Sequence, residues 1–350
     1  MSASNPPPVG TRVIGRSGVR VSEICLGTMM FGGPTDATEA RRIVDHAHDH
    51  GITFIDTADA YTDGRSEAIT GAAIKARRDH WVLATKVANT IGTGAGLPPI
   101  AGSGGLSRRW VMRAIDGSLR RLGLDHVDIY YVHKVDATVP WADVVSTFGD
   151  VIRSGKARYW GLSNVRAWHI ADIAHHCDKQ GVPRPIILQP YYNAMNRQPE
   201  VEVLPAAHHY GLGVATYSPI ARGVLTGKYQ LGAPADPASR AGRNDRRMME
   251  SEFRPESLEL AARIKAHAEA RGGSSIDFAI RWVLNNRAIA SVIAGPRTFE
   301  QWTNYLTYTR YSWTADDEAL INAAVKPGHP SSPGYSDPQY PIEGRFPAIG

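Results

Sequence analysis

Short apolar runs alternate with longer amphipathic stretches along almost the whole chain. Ahead of them, Thr11-Arg-Val-Ile14 and Val19-Arg-Val21 flank the turn Gly15-Arg-Ser-Gly18, which is the pattern of a small β-hairpin. Eight apolar runs follow. They are Ile24-Cys-Leu-Gly-Thr28, Phe54-Ile-Asp-Thr57, Val82-Leu-Ala-Thr-Lys86 and Val127-Asp-Ile-Tyr-Tyr-Val-His133, then Arg158-Tyr-Trp-Gly-Leu-Ser163, Ile186-Ile-Leu-Gln189, Val214-Ala-Thr-Tyr-Ser218 and Ser291-Val-Ile-Ala-Gly295. Their near-continuous apolarity suits strands buried on both faces. Stretches of helical period lie between them. Thr35 to His50 starts from a cap region at Asp36 and Thr38 and stops at Gly51, and Ser66 to Arg78 comes next. Ser107 to Leu122 has Ser107 as N-cap and Gly123 at its close. Pro140 to Ser154, Asn164 to Gln180 and Glu200 to Tyr210 follow, and Pro255 to Asn286 holds two helices split at Gly272-Gly273.

Eight buried strands alternating with helices predict an α/β fold, a (β/α)8 TIM barrel with the hairpin plugging its lower end. The 350 residues fit a single barrel domain, with a core over 11–325 and an irregular C-terminal tail over 326–350. A doubly wound sheet would need a glycine-rich turn leading directly from a strand into a helix. Gly92-Thr-Gly-Ala-Gly96 and Gly102-Ser-Gly-Gly105 fall in a long loop and do not provide one. Three long loops, Asn89–Leu106, Gly223–Arg254 and the tail Lys326–Gly350, are expected near the barrel mouth, where loops after strands build sites.

Composition narrows the classes further. With 43% hydrophobic and 21% charged residues the chain reads as globular, and no run of 18 apolar residues suggests a membrane span. The start Met1-Ser-Ala-Ser-Asn-Pro-Pro-Pro has neither a basic nor an apolar segment of secretory type, and only Cys25 and Cys177 occur, so a reduced cytoplasm is expected. The net charge of +5 is dispersed, and the densest basic stretch, Arg240 to Arg247, is diluted by acidic neighbours. No nucleic acid is expected as partner; a small phosphate-bearing ligand explains a mild excess equally well.

The strand ends carry the candidate chemistry. Asp56, Lys86, His133, Ser163-Asn164, Gln189 and Tyr217-Ser218 end successive strands and would converge on one mouth, with Tyr61 in the turn after Asp56. A phenol titrates near pH ~10, and an adjacent ammonium favours its ionised form. Lys86 supplies that ammonium, Asp56 keeps it charged and aimed, and His133 hydrogen-bonds an incoming carbonyl or relays a proton. Such a group suits acid catalysis of carbonyl reduction and offers no obvious nucleophile.

Asp56-Thr-Ala-Asp-Ala-Tyr61, with Gly64 and Glu67 following, resembles the aldo-keto reductase signature after the second barrel strand. Ala84-Thr-Lys86, Asp128-Ile-Tyr-Tyr-Val-His133, Gly161-Leu-Ser-Asn164, Gln189-Pro-Tyr-Tyr-Asn193 and Tyr217-Ser-Pro-Ile-Ala-Arg-Gly-Val-Leu-Thr-Gly-Lys228 match later motifs of that family in the correct order. The resemblance implies Tyr61 as acid, Lys86 and Asp56 tuning it, His133 orienting the substrate, and NADPH/NADP+ as cofactor. It further implies that Ser163, Asn164 and Gln189 bond the nicotinamide amide and that Tyr217 stacks on its ring. Ser218, Pro219, Ile220, Gly223 and Lys228 would line the pyrophosphate, Gly295 and Arg297 the 2′-phosphate side, and Gln301 the adenine; Gly27, Thr28, Met29, Asp56 and Tyr305 complete the implied cofactor set. The family commonly has Asn where this chain has Tyr305, with Asn304 one place earlier. Its tailed bacterial members imply an aldehyde, or a bulky or xenobiotic ketone, as substrate.

Other readings give different experiments. Lys86 ends a barrel strand and could attack a carbonyl as a Schiff-base aldolase would. A metal-dependent hydrolase needs several ligands at strand ends, where only His133 and Asp56 qualify, so no metal is expected; His46, His48, His50, His208 and His209 read as solvated. An NADPH-holding barrel that regulates a partner is the third alternative.

Overall fold

A computed structural model describes residues 8–91 and 103–342. The hairpin is β1 (Thr11–Val13) paired antiparallel with β2 (Arg20–Ser22). The eight apolar runs form β3 (Ile24–Gly27), β4 (Phe54–Asp56), β5 (Val82–Val87), β6 (Val127–Val132), β7 (Ala157–Ser163), β8 (Ile187–Gln189), β9 (Gly213–Thr216) and β10 (Ile289–Ala294). All pair in parallel and close in the order β10-β3-β4-β5-β6-β7-β8-β9. The chain is thus a (β/α)8 barrel with an N-terminal hairpin.

Around it stand α1 (Ala37–Asp49), α2 (Arg65–Ile74), α3 (Arg108–Leu122), α4 (Trp141–Arg153), α5 (Ala167–Gln180), α6 (Val203–Tyr210), α7 (Arg246–Ser251), α8 (Pro255–Ala270), α9 (Ser275–Asn285), α10 (Phe299–Leu306) and α11 (Ala315–Ala324). Asp36 caps α1 by accepting from the Glu39 amide, and Ser107 caps α3 by accepting from Trp110. None of the helices among the described residues is long and apolar enough to cross a membrane.

Side chains alternate across the wall with period two. Cys25, Phe54, Ala84, Ile129, Ile187, Ala215 and Ile293 point inward and pack as one cluster with Ile14 and Val21 of the hairpin. Their neighbours Leu26, Ile55, Leu83, Tyr130, Leu188, Val214 and Val292 belong to the larger cluster between barrel and helices. The hairpin is a tight plug. Arg16 N donates to Gly211 O at 3.0 Å, and Gly15 adopts φ +48° against that backbone.

Several boundaries differ from the pattern-based expectation. Asn164 has φ +57°, so α5 begins only at Ala167. β9 ends at Thr216, leaving Tyr217 bridged to Tyr191 and Ser218 at φ +56°. The Ser66 to Arg78 stretch gives way to 3₁₀ turns over Lys75–His80, and His208-His209 lie in the last turn of α6. Two helices carry too weak an apolar stripe to be anticipated. α7 interrupts the Gly223–Arg254 loop, and α11 opens with a Thr314–Asp317 capping box. Gly92-Thr-Gly-Ala-Gly96 lies outside the described residues.

A Cβ on Gly213 would lie 2.6 Å from Gly15 N and 2.9 Å from Ile14 Cα, which is backbone that cannot yield. Gly213→Ala is therefore expected to lower stability by about 1–3 kcal/mol, read as a fall in the urea midpoint; an unchanged midpoint would mean that the plug is not seated.

Candidate active site

The inward row that starts with Cys25, Phe54, Ala84, Ile187, Ala215 and Ile293 continues two residues further along each strand direction. There it reads Gly27, Asp56, Lys86, Gln189, Tyr217 and Gly295. On β6 the same alternation runs Ile129, Tyr131, His133. The parallel register sets Gly27 beside Asp56, Asp56 beside Ala84, and Lys86 beside Tyr131. The period that fills the barrel with apolar side chains thus delivers polar ones to its C-terminal mouth.

Lys86 is the hub. Its side chain is wholly buried, and its ammonium donates to Asp56 Oδ1, to Thr57 O at 2.8 Å and to Tyr61 OH at 3.0 Å. Asp56, also buried, accepts from Gln189 Nε2 through its other oxygen at 2.9 Å. Burial works against the Lys86 charge, but Asp56 and Tyr61 outweigh it and hold the amine above its ordinary range. An ammonium whose three protons are all donated has no lone pair to attack a carbonyl, which argues against the Schiff-base reading. Burial drives the Asp56 carboxyl upward, against the pull of Lys86. For Tyr61 burial raises the phenol and the ammonium lowers it; burial prevails, so Tyr61 carries its proton at neutral pH.

Tyr61 is only half-buried, so it offers its hydroxyl to the mouth. It stands at the head of a left-handed turn, with φ of 47° at Thr62, 53° at Asp63 and 81° at Gly64. The Thr62 hydroxyl fastens that turn to Phe31 O at 2.7 Å. Beneath the site, Ser66 donates to Thr28 O at 2.7 Å and meets the hydroxyls of Thr28 and Thr57 at 2.9 and 3.0 Å. Thr28 therefore turns its hydroxyl into the wall. Glu67, from the same motif as Tyr61, accepts from Thr85 at 2.5 Å and pairs with Arg121, behind the barrel wall rather than in the mouth.

The His133 ring lies edge-on to Tyr61 with centroids 5.8 Å apart. Its Nδ1 meets Asn89 Nδ2 at 2.9 Å, a contact the sequence reading did not include although Asn89 follows β5 by two residues. With Nδ1 accepting from that amide, the ring proton sits on Nε2. Burial, then Lys86, then Lys134 push the imidazole well below its ordinary pKa. The ring stays neutral and presents a donor.

The proposed nicotinamide side is equally ordered. Asn164 Nδ2 donates to His133 O at 2.8 Å and to Ser163 Oγ at 3.0 Å, and Asn164 Oδ1 accepts from Tyr217 OH at 2.9 Å. Ser163 Oγ donates to Gln189 O at 2.8 Å. Tyr217 stacks on Tyr191 with centroids 5.6 Å apart. Past β9 the backbone is left-handed at Ser218, Ala221, Arg222 and Gly223. At Gly295 the nearest atom to an added Cβ is Gly27 O at 3.9 Å, and at Gly223 it is Lys228 at 3.9 Å, so neither backbone is crowded. Gln301 Oε1 accepts from Arg297 N at 2.9 Å, and Arg297 Nη1 reaches Ala238 O at 3.3 Å. Met29 is 40% exposed beyond β3.

Tyr305 is 6% exposed, with Arg240 as its charged neighbour. Asn304 faces elsewhere, into a groove with Asp277 and Tyr311. Arg240 was not among the expected residues. Burial lowers its pKa against the pull of Asp245, which stands 3.9 Å from its guanidinium, and Arg222 adds to the lowering.

The aldo/keto reductase family profile matches residues 23–326, and the chain belongs to that family. It is an oxidoreductase by that membership, in a family that reduces carbonyl groups and generally uses NADH or NADPH. It is 35% identical over 338 residues to an uncharacterized oxidoreductase of Bacillus subtilis (strain 168), covering 93% of this chain and 97% of that protein. It is 35% identical to a probable voltage-gated potassium channel subunit beta of Arabidopsis thaliana, over 81% of this chain and 85% of the other. It is 30% identical to the L-glyceraldehyde 3-phosphate reductase of Escherichia coli O157:H7, over 93% and 96%.

The depressed imidazole gives a direct check. The NMR signal that disappears in His133→Gln is expected not to shift between pH 8 and about 5.5, whereas an ordinary histidine titrates near ~6.5. A midpoint above 6 would remove the neutral donor from the site.

Proposed function

We propose that the chain is an NADPH-dependent carbonyl reductase in which Tyr61 protonates the oxygen of an aldehyde or ketone. One observation carries the reading: the Lys86 ammonium joins a buried Asp56 to the half-exposed hydroxyl of Tyr61 at the barrel mouth. In this reading the neutral His133 donates from Nε2 to the substrate oxygen and holds it near Tyr61. As the proton leaves the phenol, the fixed ammonium 3.0 Å away stabilises the phenolate that forms, without any rearrangement of the wall. Asp56 stays as the counter-charge, and Gln189 keeps it oriented.

The residues present fit a phosphorylated dinucleotide. Lys228 lies beside the uncrowded backbone of Gly223, Arg297 follows Gly295 by two residues, and Arg240, whose carboxylate partner Asp245 stands 3.9 Å away, is a half-buried cation with little direct counter-charge, which gains from an added anion. Ser163, Asn164, Gln189 and Tyr217 would hold the nicotinamide end, Ser218, Pro219, Ile220, Gly223 and Lys228 the pyrophosphate, and Gly295, Arg297 and Gln301 the adenosine end, with Tyr305 and Arg240 close by. When bound, the reduced nicotinamide supplies the hydride that the carbonyl carbon accepts. Free, buried Cys25 and Cys177 fit a reducing cytoplasm as the compartment.

A second reading, a dinucleotide-holding barrel that regulates a partner, draws on the relatives named as potassium channel β subunits. NADPH consumption across aldehydes, cyclic ketones and sugars separates the two: steady turnover supports the reductase, and none on any substrate removes it. Tyr61→Phe is expected to cut kcat by about 10²–10⁴-fold while NADPH still quenches protein fluorescence at nearly the same concentration. Arg297→Ala is expected to weaken NADPH by roughly tenfold or more through the lost charge-assisted bonds, and NADH far less. Equal affinity of the unaltered protein for both dinucleotides would overturn the cofactor assignment.

A further inference from the structure

His133 is tied from two neighbouring strands through its backbone. Its amide donates to Val87 O at 2.8 Å, and its carbonyl accepts from Asn164 Nδ2 at 2.8 Å. Neither bond determines which ring nitrogen carries the proton. The ring itself is held by the half-buried Asn89, whose Nδ2 meets Nδ1 at 2.9 Å.

Asn89 is aimed by an uncommon backbone. Ala88, directly before it, is buried and has φ +126°, a region that glycine enters freely and alanine does not. Such a residue persists only where its surroundings enforce it, and positions of this kind gather at functional sites. The enforcement comes from the chain on either side of α3. Ala88 O accepts from Gly105 N at 2.9 Å, and Asp136 Oδ2 accepts from Leu106 N at 2.9 Å. Asp136 lies three residues past His133 and is itself fixed through Oδ1, which accepts from the Thr138 amide at 3.0 Å and hydroxyl at 2.6 Å. Gly105 fits so closely under this carboxylate that a Cβ would stand 2.5 Å from Oδ2, and a Cβ on Gly104 would stand 3.2 Å from Thr90 Cα. The bend at Ala88 is thus braced by the segment that leads out of the strand carrying His133.

An amide that donates to Nδ1 leaves the ring proton on Nε2. With the proton on Nδ1 instead, a lone pair would face the carbonyl oxygen and repel it. The charged groups acting on the ring are Lys86 and Lys134, both cations that disfavour a second ring proton, and the Tyr61 phenol lies edge-on.

We propose that Asn89 is a positioning residue for carbonyl reduction: aimed by the bend at Ala88, its amide selects the His133 tautomer that donates to the substrate oxygen. This rests on the reductase reading and assigns that reading a further residue.

The tautomer is read first, without turnover, from long-range 1H–15N NMR correlations of the ring signal that His133→Gln removes. A proton on Nε2 in the unaltered protein is the expected result; a proton on Nδ1 overturns the proposal. Kinetics with 4-nitrobenzaldehyde and NADPH then compare two variants with the unaltered protein at each pH. Asn89→Leu removes the donor and is expected to lower kcat/KM about tenfold throughout. Asn89→Asp reverses the polarity. A carboxylate draws the proton of the neutral ring to Nδ1, whereas the imidazolium that it favours at lower pH carries protons on both nitrogens and donates again. Its kcat/KM is therefore expected to fall about 10–100-fold at pH ~8 and to recover toward pH ~5. A deficit of Asn89→Asp that is the same at every pH, or an Asn89→Leu protein as active as the unaltered one, overturns the proposal while leaving the reductase intact. Absence of turnover by the unaltered protein on every carbonyl tried, with NADPH and with NADH, overturns the underlying reading, and this proposal with it.

Discussion

A single ammonium organises the mouth of this barrel. Lys86 is wholly buried, and it is tolerable there only because a carboxylate, a peptide carbonyl and a phenol take its three protons. Removing any partner would leave a charge in a medium that cannot solvate it. The same constraint explains the surrounding order. Gln189 secures the far oxygen of Asp56, and the hydroxyl cluster of Thr28, Thr57 and Ser66 backs the peptide whose carbonyl faces the amine. What stabilises the ammonium also fixes the phenol, so positioning and charge arise from one set of contacts.

That arrangement is affordable because it sits at a boundary. One layer down, the interior is apolar and packed around Phe54, Ile129 and Ile187, closed below by Ile14 and Val21 of the hairpin. One layer up, the mouth opens to water and Tyr61 is half-exposed. The polar layer is thus buried enough for its electrostatic interactions to be strong and close enough to solvent to admit a substrate. The strained turn at Thr62 and Asp63 lies at this boundary, held by the Phe31 carbonyl, where a rigidly aimed hydroxyl justifies its cost.

The outer face is built differently. Arginines on helices and loops reach across to other segments: Arg297 to Ala238, Arg247 to Asp337, Arg254 to Ser332 and Arg166 to the tail carbonyls. Together they tie the 223–254 segment and the C-terminal stretch to one another and to the barrel. This gives the mild basic excess a local use, since much of it is spent on closing loops.

The barrel itself was readable in the chain because parallel strands buried on both faces must be apolar throughout, and eight such runs separated by helical periods leave few alternatives. The inward alternation also made Asp56, Lys86, His133, Gln189 and Tyr217 legible as neighbours, since a strand's period of two determines which residues face the axis. Asn89 and Arg240 were not legible as site neighbours. They lie on loops whose course has no period, and α7 and α11 have stripes too polar to announce themselves. Their places follow from long-range contacts, such as Asp337 with Arg247 across 90 residues of chain, that no local pattern encodes. Local repetition therefore determined the ring and its polar rim, and only the folded packing of distant segments decided how the loops beyond that rim are tied together.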